Sequence, residues 1–120
     1  VKTMLIKYGL EFYNVLLENK DLFVIGFIEA NKRPELRLAI DNKIYAVATL
    51  LGEKLKKLYK QSKLENDDFI SVALLYIEAV LGAFVINNRL SSSYKRVDIE
   101  KLCKVASQYL LNGLENGLTN

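Results

Sequence analysis

The chain has 120 residues, 51% of them apolar and 26% charged, with a single proline. That balance implies one hydrophobic core in one globular domain (1–120) and excludes a disordered tail or a collagen-like fibre. Against 14 Asp and Glu stand 17 Lys and Arg, a net charge of +3 that permits an acidic partner without demanding one. There is no histidine and only one cysteine, Cys103. This excludes Ser-His-Asp and Cys-His nucleophiles, histidine-ligated metals, a cysteine zinc site and an intramolecular disulfide. No catalytic residue, metal or cofactor is expected.

Apolar residues recur at helical spacing almost everywhere and no run alternates as a strand does, so the predicted fold class is all-α, a five-helix bundle. The first helix is predicted over Lys2 to Glu18, with Leu5, Tyr8, Gly9, Phe12, Val15 and Leu16 on one face. Asn19-Lys20 breaks it, and a shorter helix follows from Asp21 to Ala30. Asn31-Lys32-Arg33-Pro34 is the clearest interruption. Pro34 fits the first turn of a third helix, where its missing N–H is no loss. That helix is predicted to run to Gln61, with the stripe Leu36, Ile40, Ile44, Val47, Leu51, Leu55 and Leu58. Lysines crowd its C-terminal end, Lys54 to Lys63. They suit a solvated helix end, and with only Tyr59 among them they make a poor nucleic-acid groove.

A fourth helix is predicted over Asp67 to Arg89, followed by a polar Ser91-Ser92-Ser93 loop. Asp98 is a good N-cap for a fifth helix, with Val97 and Leu102 placed as a hydrophobic staple, and Gly113 or Gly117 is expected to end it. The fourth helix is apolar on every side. Phe69, Ala73, Tyr76, Val80 and Phe84 make one face, Ile70, Leu74, Ile77, Leu81 and Val85 a second, and Leu75, Ala79, Gly82 and Ile86 a third. Glu78 near the middle of Phe69–Ile86 disfavours a membrane span, because a charge at that depth costs about 3 kcal/mol. A buried helix is expected instead, and a second copy of the chain is the natural cover for whatever its own neighbours leave bare.

Three segments in order carry a family likeness. A helix ending in Glu29-Ala-Asn-Lys-Arg-Pro-Glu-Leu-Arg37 leads into a long amphipathic helix. The nearly all-apolar helix with Tyr76-Ile-Glu-Ala-Val-Leu-Gly82 comes next, and an aspartate-capped helix ends in Tyr109-Leu-Leu-Asn-Gly-Leu114. Together they resemble the C-terminal regulatory domain of a TetR/AcrR-type transcriptional repressor. The resemblance implies a cytoplasmic homodimer without a membrane association. It implies a cavity for a small hydrophobic or amphipathic effector, and DNA binding only through an N-terminal helix-turn-helix domain. That head does not lie within these residues, and the start at Val1 fits a fragment or processed chain.

On this resemblance the expected ligand-binding residues are Tyr8, Phe12, Phe27, Tyr45, Ala48, Ala73, Tyr76 and Val80. Tyrosine hydroxyls would be the few polar anchors; the plainer reading makes these residues ordinary core. The expected dimer interface is Leu74, Ile77, Glu78, Leu81, Val85, Cys103, Ala106 and Leu110. Glu78 has three readings: an ion pair at the interface, recognition of a ligand donor, or a charge emerging beside solvent. Cys103 reads as a thiol sensor or, better, as a small buried hydrophobe. The competing overall reading is a structural helical dimer with a solid core and no ligand.

Overall fold

The computed structural model describes residues 1–60, 62–89 and 96–117, and every regular element among them is helical. The helices are α1 (Lys2–Glu18), α2 (Lys20–Glu29), α3 (Pro34–Leu58), α4 (Asn66–Arg89) and α5 (Ile99–Asn112), and a π-helical turn, Gly113–Gly117, follows α5. The Ser91-Ser92-Ser93 loop and Gln61 lie outside the described residues.

Local chemistry sets most of the boundaries. Asn19 leaves the helical region (φ −111°, ψ 28°), and its Nδ2 donates to the Val15 carbonyl at 2.9 Å, which also accepts from the Asn19 N–H at 3.2 Å. Pro34 opens α3 behind an extended Arg33, as expected. The third helix stops at Leu58 rather than Gln61, with Tyr59 turning out of it at φ −119°, ψ 48°.

The Asp98 carboxylate caps α5 by accepting from the Lys101 N–H at 3.2 Å, and Val97 and Leu102 pack against one core cluster. Gly113, one of the two glycines expected to end α5, is its C-cap. It keeps right-handed angles (φ −62°, ψ −46°), and the chain continues through a wider turn that buries Leu114.

Packing is organised around α4. Its N-terminal half joins a cluster with Leu5 of α1, Ala48, Leu51 and Leu55 of α3, and Leu111 and Leu114. Its C-terminal half joins a second cluster with Tyr13 and Leu16 of α1 and Cys103 of α5. At Gly52 the α3 and α4 backbones nearly touch, since an added Cβ would lie 3.1 Å from the Ile70 Cα. The second helix is only lightly anchored. Gly26 is its one buried residue, and Leu22, Ile25 and Ile28 are exposed.

The all-round apolar α4 is covered on one side only. Phe69, Ala73, Tyr76, Ile77, Val80, Leu81, Ala83 and Phe84 are buried. Leu75, Glu78 and Ile86 on the opposite side are exposed, and a Cβ added at Gly82 would meet nothing within 4 Å. By length and composition Asn66–Asn88 could cross a membrane, but a core helix of a soluble fold passes the same test, and the buried side of α4 is core.

Candidate ligand-binding site

A trough of about 520 Å³ lies between α1, α2 and α3, with Leu81 of α4 at its inner side. Helical spacing builds it. On α1, Tyr8, Phe12, Val15 and Leu16 recur at three and four residues. Ile40, Ile44 and Val47 do the same on α3, and Phe23 and Phe27 stand one turn apart on α2. Phe23 and Phe27 are 6.5 Å apart between ring centres. Phe84 backs Phe23 edge-on at 6.4 Å and 79°. The lining is thus mostly aromatic and aliphatic carbon, with Glu11, Lys43 and the Tyr8 hydroxyl as its polar groups, a composition and size typical of small-molecule sites. Burial pushes the Tyr8 hydroxyl above its ordinary pKa of 10.0, so at neutral pH it is an uncharged donor.

A second cleft, about 510 Å³, opens where α3 ends and α4 begins. Lys56, Lys57, Lys60, Glu53 and Asn66 line much of it, and Lys56 hydrogen-bonds the Asn66 side chain. Tyr59, Leu64, Phe69 and Ile70 give it apolar walls as well, but it carries more charged side chains than the trough. Among the described residues, no group of three or more Cys, Asp or Glu side chains is placed to hold a metal ion.

Of the expected ligand residues, Tyr8, Phe12 and Phe27 come together on the trough. The other five do not. Tyr45 is 53% exposed on the outer side of α3, one helical position away from Ile44, which faces inward. Ala48, Ala73, Tyr76 and Val80 are buried in the two core clusters, away from the trough. Sequence reasoning missed Phe23, Ile40, Ile44, Val47 and Lys43 as lining residues. All but Lys43 sat on recognised apolar stretches, and what was lacking was the pairing of α2 with α3.

The expected interface set divides similarly. Ile77, Leu81 and Cys103 are enclosed by the chain's own helices, so these side chains are not available to a second copy, and Leu81 faces the trough. Leu74, Val85, Ala106 and Leu110 are half-buried, and Glu78 is exposed.

Tyr76 anchors a buried polar node. Its hydroxyl donates to the Leu5 carbonyl at 2.6 Å and accepts from Ser107 Oγ at 3.3 Å. Burial drives its pKa far above the tyrosine range, so it remains a neutral donor. Burial likewise raises the Cys103 thiol, only partly offset by a hydrogen bond with Tyr76. A buried thiol with a raised pKa is the reverse of a reactive cysteine and fits the packing reading.

Compared with family models, curated proteins and solved structures, the chain has no match.

Proposed function

We propose that this chain is a non-catalytic ligand-sensing and dimerising module, acting as the C-terminal regulatory domain does in a cytoplasmic TetR/AcrR-type repressor. The observation that carries the proposal is the apolar trough, walled by three helices and opening to solvent beside Lys43 and Glu11. A molecule seated there touches α1, α2, α3 and α4 at once. It favours whichever arrangement of these helices fits it best and shifts the population toward that arrangement. In a longer chain carrying a DNA-binding head before α1, such a shift would change the head's position and so its affinity for an operator.

Ala46 is exposed on the rim of the trough, which makes it the place to obstruct without disturbing the core. Ala46→Trp is expected to weaken binding of decanol, measured by calorimetry, by about tenfold while leaving the unfolding midpoint unchanged. Saturable decanol binding that is indifferent to this substitution would place the site elsewhere, and absence of saturable binding in the parent chain would remove the proposal.

The outer side of α4 supports the dimer half of the proposal. Leu75 and Ile86 of α4 and Val105 and Tyr109 of α5 are large, apolar and exposed, at 66%, 39%, 45% and 74%. Gly82, with open space beside it, lets a second helix approach closely. This strip replaces Ile77, Leu81 and Cys103 as the surface offered to a second copy. Gly82→Leu places a Cβ where nothing in the protomer lies within 4 Å and improves helix propensity, so it is expected to preserve or raise monomer stability. The same side chain obstructs close helix approach, so sedimentation should show monomer at concentrations where the parent chain is dimeric. An unaltered dimer would move the interface off this strip.

A further inference from the structure

The charges around the trough are unequal. Lys43 lines it from α3 and, among the described residues, has no carboxylate within ion-pair distance. Glu11 lines it from α1, but its carboxylate is already 3.9 Å from the Lys7 ammonium. Tyr8 also lines it, and the Lys54 ammonium stands 5.6 Å from the centre of that ring. Three ammonium groups and one carboxylate therefore line the trough or touch its lining, which leaves the site positively biased.

We propose that the trough takes a single-chain carboxylate, its alkyl chain lying among Phe12, Phe23, Phe27 and Ile44 and its head group at Lys43. This rests on the reading of the trough as a binding site and adds the chemical class of the ligand. The walls contribute affinity in proportion to chain length, roughly fourfold for each methylene removed from water. Lys43 contributes orientation and the choice of head group. A compact ammonium on a flexible stem suits a carboxylate held at the solvent boundary, where such a pair is worth a few-fold in affinity and weakens with salt.

Three ligands of equal chain length separate the possibilities: decanoate, decanol and decyltrimethylammonium, each titrated calorimetrically into the 120-residue chain and into Lys43→Glu. Lys43 is exposed, so the variant is expected to fold, and its thermal transition provides the check. The expected result is tightest binding of decanoate to the parent chain, decreasing at high salt. Lys43→Glu should weaken decanoate about tenfold and leave decanol unchanged. Decanol binding as tightly as decanoate, with neither sensitive to Lys43→Glu, would overturn the carboxylate assignment and leave an apolar site standing. Preference for decyltrimethylammonium would overturn it in favour of Glu11 as the head-group partner. If none of the three binds, the trough is not a binding site and both readings fall together.

Discussion

Phe84→Ala is expected to lower the stability of the fold by about 4 kcal/mol. Phe84 is fully buried, and two rings meet it edge-on, Tyr13 at 6.2 Å and 76° and Phe23 at 6.4 Å and 79°. Truncation removes the transfer free energy of a phenyl group and leaves a cavity that these stiff rings cannot fill. It also removes two aromatic pairs, each worth about 1 kcal/mol. A domain of this size is stable by only about 5–15 kcal/mol, so the loss is a large share of the total. Urea denaturation should show a lower midpoint with an unchanged slope. Because Phe84 supports Phe23, and Phe23 lines the trough, ligand affinity should fall together with stability. A midpoint equal to that of the parent would contradict the packing of the second core cluster.

Gly9→Ala is expected to destabilise the fold by about 2 kcal/mol, although alanine is the better helix former by about 1 kcal/mol. The sign is therefore informative. A methyl at Gly9 would lie 2.5 Å from the Tyr76 hydroxyl oxygen and 2.8 Å from Cys103 Sγ. Neither atom can retreat, because Tyr76 is 1% exposed and held by the Leu5 carbonyl, and Cys103 is 0% exposed. Tyr76→Phe removes the nearest atom. In a double-mutant cycle, Tyr76→Phe should cost about 1 kcal/mol less in the Gly9→Ala background than in the parent chain. A stabilising Gly9→Ala would mean that α1 stands further from α4 and α5 than these distances place it.

The helices were legible because their signals are local. Pro34 at a helix start and Asp98 at a cap act through their own backbone neighbours, and both do as their chemistry suggests. The end of α3 was less legible, because nothing in its run of lysines marks where the last turn stops. The trough was legible only in part. Helical projection places Tyr8, Phe12 and Val15 on one side of α1, but it does not say which helix faces them. Tyr13, assigned to no face, is buried beneath Phe84, and Val15, placed on the same face as Leu5 and Leu16, is half-exposed at the trough. On α4 three apolar faces looked equivalent in sequence. Which of them meets α3, which meets α5 and which stays bare is decided by the neighbours, and that choice places Ile77 and Leu81 inside and leaves Leu75 and Ile86 outside.

Native mass spectrometry of the chain at micromolar concentration tests the proposed sensing and dimerisation together. The expected spectrum shows a dimer carrying a bound small molecule on each protomer, released on collisional activation and replaceable by added decanoate. A bare monomer that acquires no adduct when decanoate is added would contradict it.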